Sequence, residues 1–416
     1  MSKVVFPGAV NGTVTPPPSK SYAQRALAVA LLCHGESIIS NIEFCDDTRS
    51  AMRMIEALGA TVEQIDDSTI KITGGLNPRS AELFVGESGL STRLFTPIAS
   101  LCSTPIEING HGSILKRPMT MMLEPLHQAG VKVNHNKGYL PFEVCGPLQG
   151  GEISVDGSVS SQFITGLLLS LPLADKDSTL YVNRAVSLPY LDMTIDTAKR
   201  FGVEISHNEY REFYIAGNQH YTSTNFNIEC DWSAASTLLV AGAIAGSVTI
   251  NNISMLSKQA DREICTALVR AGAQVENSAD TLTVSRREIN AFEFDATQCP
   301  DLFPALVALA AVADGVSIVK GAERLVHKES DRALTLQAEY AKLGIRIDVE
   351  GDVMRIEGGK IHSARVESHN DHRIAMSLAV AALCSDAMIT IDGSDAVSKS
   401  YPNFFEDLEA LRVKNS

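Results

Sequence analysis

The sequence predicts an α/β protein of two similar domains, each assembled from three copies of one unit. Three observations carry that reading. Polar or glycine-bearing clusters run straight into apolar helix patterns near Ser19, Gly89, Ser160, Asp231, Asp301 and Asp371, at intervals of about 70 residues. A second series interleaves at a similar interval: Asp47-Thr48-Arg49, Lys116-Arg117-Pro118, Ser187-Leu188-Pro189-Tyr190, Lys258 to Arg262, Lys328 to Arg332 and Lys399-Ser400-Tyr401-Pro402. In five of the six copies an apolar residue and Gly then precede an alternating strand, at Leu58-Gly59, Ala129-Gly130, Phe201-Gly202, Ala271-Gly272 and Leu343-Gly344.

The elements follow in order. Lys3 to Phe6 reads as a strand standing before the first copy. Pro16-Pro17-Pro18 stops any preceding helix and Ser19 starts the next, with its apolar stretch at Ala23 to Leu32. Glu36 to Ile42 is then a strand, Thr48 to Leu58 a more amphipathic helix, and Thr61 to Ile65 and Thr69 to Ile72 two strands. Each later start repeats this succession, except that the last copy ends on a helix with no strands after it. The N-terminal strand is therefore expected to complete the C-terminal domain. That gives one domain of residues 1–18 with 230–416 and another of residues 19–229, joined by two crossings that can act as a hinge. Apolar helices pack inward and sheets outward, so the helix N-termini of each domain surface together on one face. Two such faces presented to each other would enclose a ligand cleft.

Composition fits a globular protein of more than one domain. A chain of 416 residues exceeds one ordinary core, and 45% hydrophobic residues supply more than one. With 49 acidic against 35 basic residues, a net charge of −14 argues against a broad nucleic-acid or acidic-membrane surface. The apolar helical runs, about 12 to 15 residues with Ser, Thr, Gly or Pro inside, are too short to span a bilayer. No basic-then-apolar leader is visible, and a cytoplasmic location is expected. The eight cysteines lack C-x-x-C or zinc spacing and read as buried free thiols, with Cys33-His34 a helix end.

Helix N-termini expose unpaired amides and the positive end of the macrodipole, so each is a potential anion site. Charge-assisted hydrogen bonds add about 1.5 to 3 kcal/mol apiece. A multiply charged small anion is the natural ligand. Lys20, Ser21 and Arg25 stand at the first start, though no Gly-rich P-loop precedes them. Gly86-Glu87-Ser88-Gly89 lets a ligand approach the backbone, with Arg93 in the next turn. Ser160, Ser161 and Gln162 offer more polar groups than one cap needs. Asp301 and Lys328-Glu329-Ser330-Asp331-Arg332 are the richest candidates for proton exchange. Asn370-Asp371-His372-Arg373 puts an Arg at the mouth of an apolar helix, unusual unless it meets an anion. Each cluster taken alone is also explained as a capped helix with solvated charges.

Together these motifs resemble the enolpyruvyl transferases over essentially the whole chain, from Pro18-Ser19-Lys20-Ser21 to Lys399-Ser400-Tyr401-Pro402, and within them the branch acting on shikimate 3-phosphate. The resemblance implies an inside-out α/β barrel fold: two domains, each of three β-α-β-α-β-β repeats around parallel buried helices. It implies addition of phosphoenolpyruvate to the 5-hydroxyl of shikimate 3-phosphate and elimination of phosphate through a tetrahedral intermediate. No metal or organic cofactor is implied. Lys20, Ser21, Arg25, Ser160, Ser161, Gln162, Ser187, Tyr190, Asp301, Arg324 and Lys328 match positions on the shikimate 3-phosphate side. Lys20, Gly89, Arg93, Arg117, Gln162, Arg332, Arg373 and Lys399 match positions that clamp phosphoenolpyruvate. Asp301 and Glu329 match the acid/base pair, helped by Lys20. The partners expected are the two small-molecule substrates, with no nucleic acid and no membrane, and a monomer is expected.

The chain departs from the family pattern at Glu87 and Arg324, where Asn is usual, at Leu90, where Thr is usual, and at Leu94, where Pro often stands. An acid at position 87 is unfavourable beside an anion unless it points away or finds a partner. Three rival readings remain. Transfer to a UDP-amino sugar is disfavoured because Lys20-Ser21 replaces the usual Lys-Asn and no Cys lies between Thr104 and Pro118. An RNA 3'-phosphate cyclase-like enzyme is disfavoured by the acidic balance. An inactive anion-binding protein is disfavoured by the presence of both Asp301 and Glu329.

Overall fold

The computed structural model describes residues 1–158, 160–326 and 328–413. Twelve α-helices occur among them, and they alternate in character. The first of each copy are α1 (Lys20–Leu32), α3 (Gly89–Ala99), α5 (Gln162–Ser170), α7 (Trp232–Ala245), α9 (Phe303–Ala310) and α11 (His372–Ala382). The second are α2 (Asp46–Ala57), α4 (Leu123–Gln128), α6 (Leu188–Arg200), α8 (Ile264–Arg270), α10 (Arg332–Lys342) and α12 (Phe404–Ala410).

The first series is buried on every side. In α7 all residues from Trp232 to Ala245 are buried, and the same holds from Gly89 to Ala99 in α3. Burying each large apolar side chain is worth about 1.5 to 3 kcal/mol, which outweighs the weak helix propensity of Thr, Ser and Val. Hydroxyls in these helices keep that gain where they bond back to their own helix, as three in and after α3 do. Thr92 Oγ1 donates to the Ser88 carbonyl at 2.9 Å, Thr96 Oγ1 to that of Thr92 at 2.6 Å and Ser100 Oγ to that of Thr96 at 2.8 Å. The second series buries one face: Ala51, Met54 and Ile55 of α2 point inward while its first turn carries Asp46 and Asp47 at the positive end of the dipole. α1 ends at Cys33, whose thiol donates to the Val29 carbonyl at 3.3 Å and is pushed up to about 11 by burial, the behaviour of a helix end and not of a nucleophile.

Five of the six copies are β-α-β-α-β-β units, and their strands pair in one recurring order. Glu82–Phe84 lies parallel to Ile106–Asn109, which is antiparallel to Tyr139–Cys145, which in turn is antiparallel to Lys132–Asn136. Along Tyr139–Cys145 the buried Leu140, Phe142 and Val144 alternate with outward residues, as a sheet with one covered face requires. Two further sheets, opening with Gly151–Asp156 and Glu293–Asp295, have the same order. In two others the leading strand comes from elsewhere in the chain: Asn225–Asn227 lies parallel to Gly35–Ser40, and Val10–Val14 lies parallel to Gly246–Asn251. The sixth sheet has three strands, because Ser2–Val5 pairs antiparallel with Ile389–Asp392 where the other copies place their hairpin.

The chain divides into two compact units, one of residues 1–17 with 229–416 and one of residues 18–228. In the second, α1, α3 and α5 form the buried set, and α7, α9 and α11 do so in the first. The opening strand is Ser2–Val5 and not Lys3 to Phe6, since Phe6 leaves the ladder half-exposed. Val10–Val14 goes unseen in the sequence because Asn11 and Gly12 break its alternation.

Candidate functional site

In the unit of residues 18–228 the charged groups gather at the helix starts. Ser19 caps α1, its Oγ accepting the Tyr22 amide at 3.4 Å. Lys20, one residue on, extends to Asp47 in the first turn of α2, Nζ to Oδ2 2.9 Å, with both side chains only 15% exposed. Arg25 turns into the interior. Its Nε donates to Thr194 Oγ1 at 3.0 Å, Nη1 to the Ser21 carbonyl at 2.8 Å, and Nη2 to Thr165 Oγ1 at 3.3 Å and the Tyr190 carbonyl at 3.1 Å. These bonds tie α1 to α5 and α6, and all four acceptors are neutral. Burial accordingly pulls the guanidinium down to about 10, against the pull of Tyr22 and Tyr190. The buried Ser187 enters α6 in the left-handed region at φ 55°, a conformation costing about 1 to 3 kcal/mol outside Gly and common at working sites.

Four further residues meet at the start of α3. Arg93 Nη1 donates to Gln162 Oε1 at 2.7 Å. A Cβ added at Gly89 would stand 2.8 Å from Arg117 Nη1, 3.1 Å from Arg93 Nη1 and 3.6 Å from Gln162 Oε1. Both arginines are buried, and Arg117 Nε has no hydrogen-bond partner among the described residues. The arrangement suits a small anion lying over the Gly89 backbone. Ser160 Oγ accepts the Gln162 amide at 3.2 Å, and the neighbouring Ser161 makes no capping bond despite its place at the helix start. Glu87 turns onto the Ser113 amide at 2.7 Å. Leu90 and Leu94 are core residues of α3, at 8% and 0% exposure.

In the other unit the charges form one network. Arg332, 1% exposed in its side chain, donates Nη1 to Asp301 Oδ1 at 2.7 Å, Nη2 to Glu329 Oε2 at 2.6 Å and Nε to Asp371 Oδ2 at 2.8 Å. Lys328 Nζ also reaches Asp301 Oδ1, at 3.1 Å, and Arg373 Nη2 reaches its Oδ2 at 3.3 Å. Burial works to raise the Asp301 carboxyl, but Arg373, Lys328 and Arg332 overcome it and hold the group well below the usual carboxylate range. Asp301 is thus an ionised base beside three cations. Arg373 Nη1 also donates to Ser233 Oγ in the first turn of α7. Lys399 Nζ donates to the Asn370 carbonyl at 2.7 Å, one residue from Asp371. Arg324 Nη1 donates to the Thr297 carbonyl at 2.9 Å, and its charge helps burial to lower Lys328.

Three residues of these networks carry no expectation from the sequence. Asp371 is wholly buried, and besides Arg332 it accepts Ser330 Oγ at 3.2 Å and caps α11 through the Arg373 amide at 3.0 Å. Its place in Asn-Asp-His-Arg was the available signal. Asp47 lies in the interleaved series, which hints at it. Asp261, in the same series, is buried, and burial followed by the charge of Asp301 pushes it up to about 7. A carboxyl raised in the folded state binds its proton where the unfolded chain has lost it, so it subtracts stability progressively as pH rises from about 4 to about 7. Asp261→Asn is therefore expected to raise the melting temperature at pH 8 by several degrees, on the order of ~5 °C, and to change it little at pH 4. Melting curves at the two pH values check this; a gain of equal size at both would contradict it.

The comparisons with known proteins agree in direction. A family model described as EPSP synthase (3-phosphoshikimate 1-carboxyvinyltransferase) matches residues 5–408. The chain is 38% identical to a 3-phosphoshikimate 1-carboxyvinyltransferase of Clostridium perfringens, over 99% of this chain and 98% of that protein. It is 36% identical to the protein of the same name from Clostridium novyi, over 98% and 96%. Among solved structures, an EPSP synthase from Acinetobacter baumannii superposes with a TM-score of 0.84 at 26% identity, covering 99% of this chain and 98% of that one. The enolpyruvyl transferase NikO from Streptomyces tendae shares the fold, with a TM-score of 0.79 at 18% identity over 98% and 96%.

Proposed function

The chain belongs to the EPSP synthase family, and we propose that it transfers the carboxyvinyl group of phosphoenolpyruvate to the 5-hydroxyl of shikimate 3-phosphate, releasing phosphate. The observation that carries this reading is Asp301, an ionised carboxylate surrounded by Lys328, Arg332 and Arg373, with Glu329 on the same arginine. Proton-accepting groups and anion-binding groups are built into one network.

In this reading Ser21, Arg25, Ser160, Ser161, Gln162, Ser187 and Tyr190, with Lys20, Arg324 and Lys328, take the phosphorylated acceptor. Gly89, Arg93, Arg117, Gln162, Arg332, Arg373 and Lys399 take phosphoenolpyruvate. Asp301 accepts the proton of the 5-hydroxyl as its oxygen bonds to C2 of phosphoenolpyruvate, while a proton reaches the C3 methylene and makes it a methyl. Glu329 and Lys20 are the groups for that second transfer. Loss of phosphate from C2 and of a proton from the methyl restores the carbon–carbon double bond. The cations stabilise the departing phosphate, the kind of preorganised electrostatic term that usually dominates. An incoming phosphate competes with Glu329 for the Arg332 guanidinium, which would free the carboxyl for proton exchange.

The test is phosphate release by purified protein given phosphoenolpyruvate with and without shikimate 3-phosphate. Release that requires both is expected. Release from phosphoenolpyruvate alone, or with a UDP-amino sugar as acceptor instead, would defeat the reading. Among the described residues no helix is long and apolar enough to cross a membrane. We further propose a monomer working in the cytoplasm, a setting that suits eight free thiols; light scattering after size exclusion checks the former.

A further inference from the structure

Glu87 lies two residues before Gly89, and its side chain leaves the α3 start to reach a separate piece of chain. Oε1 accepts the Ser113 amide at 2.7 Å, at the head of the 3₁₀ turn Gly112–Lys116. The first amides of such a turn lack internal partners, so a carboxylate there satisfies one and meets favourable partial charge. Gly112 is required on two counts. Its φ is +65°, and a Cβ there would overlap Glu87 Oε1. From Ser113 the connection continues, since Arg117 Nη2 donates to Ser113 Oγ at 3.2 Å. Arg117 follows the turn directly, and its Nη1 is the nearest atom to any Cβ placed on Gly89.

We propose that Glu87 is a positioning residue for Arg117: it pins the 112–116 turn and, through Ser113, aims the guanidinium over the Gly89 backbone. The inference rests on the reading that this arginine binds phosphoenolpyruvate. It also resolves the placement of an acid next to an anion site, because the carboxylate is directed at a backbone amide. The loop has a second tie, from the His111 amide to the Gly86 carbonyl at 3.0 Å. Truncating Glu87 therefore leaves the loop attached and alters the orientation of the turn.

Steady-state kinetics of Glu87→Ala, Glu87→Gln and Ser113→Ala test this, with amide hydrogen exchange at Ser113 as a readout independent of turnover. In Glu87→Ala the KM for phosphoenolpyruvate should rise about tenfold with that for shikimate 3-phosphate unchanged, and the Ser113 amide should exchange at least about tenfold faster. Glu87→Gln keeps a carbonyl acceptor at the same reach and should restore most of both. Adding Ser113→Ala to Glu87→Ala should cost little more than either alone, since both sever one connection. Unchanged exchange at Ser113, or equal rises in both KM values, overturns the proposal. A wild-type protein that releases no phosphate defeats the proposed function instead, and the exchange readout still decides whether Glu87 pins the turn.

Discussion

Asp301→Asn is expected to lower kcat about a thousandfold while both KM values stay within a few-fold, because general acid–base groups contribute about 10² to 10⁴ and the amide keeps the shape. The substitution removes the carboxylate that pairs with Lys328 and one of the three that pair with Arg332, so it also tests the electrostatics. The native carboxyl has its pKa depressed by those cations. A depressed carboxyl adds stability that is present above the unfolded value of about 4 and is lost as pH falls through the folded value. Wild type should therefore melt above the variant at pH 7, and the gap should close on acidification below about pH 4. Glu329→Gln should lower kcat to a similar degree, and the double variant should be little worse than either, as expected of groups acting as one unit. Near-normal turnover by Asp301→Asn would remove Asp301 from the proton chemistry, and a loss confined to KM would reassign it to binding.

The fold was legible because its period is written in helix starts. Apolar helices must be buried on all sides, and the polar residue that opens each cannot be moved without leaving amides unpaired, so Ser19, Ser88, Asp231 and Asp371 cap α1, α3, α7 and α11 where the pattern places the starts. The leading strands were not legible residue by residue. Asn225–Asn227 and Arg365–Glu367 have a single inward side chain each, Phe226 and Val366, which gives no alternation to read. Their place is set by parallel pairing, of the first with Gly35–Ser40 far back in the chain and of the second with Ile389–Asp392 of its own copy.

Part of the candidate site follows from the same period. Arg93 meets Gln162 at a separation of 69 residues and Arg373 meets Asp301 at 72, so the helix starts of adjacent copies come together. What the period does not reveal is which carboxylate balances which cation. Arg25 and Arg332 look alike as basic residues near a helix start, yet Arg25 bonds only to hydroxyls and carbonyls while Arg332 holds three carboxylates. The difference depends on Thr165 and Thr194 facing the first and Asp371 facing the second, contacts that no local pattern encodes. Glu87 shows the same limit. Its type predicts repulsion from an anion, and only the course of the 112–116 turn shows where the carboxylate goes.

Gly89→Ala should raise the KM for phosphoenolpyruvate by about 10- to 100-fold and leave the melting temperature unchanged or slightly higher. The two expectations separate function from folding. Gly89 is the first residue of α3, and its backbone is outside the positive-φ region, so alanine adopts the conformation without strain and favours a helix more than glycine does. The added methyl instead meets the arginines. At 2.8 Å from Arg117 Nη1 and 3.1 Å from Arg93 Nη1 it lies inside normal contact, and both guanidiniums must withdraw. Arg93 is bound to Gln162 and Arg117 to Ser113, so withdrawal strains those bonds as well as retracting charge from the ligand. Loss of one or two charge-assisted hydrogen bonds at about 1.5 to 3 kcal/mol each sets the expected range. The KM for shikimate 3-phosphate should move far less, since Ser21, Ser187 and Tyr190 are not among the atoms the methyl approaches. Equal rises in both constants would show that the methyl displaces α3 as a whole, and an unchanged phosphoenolpyruvate KM would mean that the ligand does not lie over the Gly89 backbone.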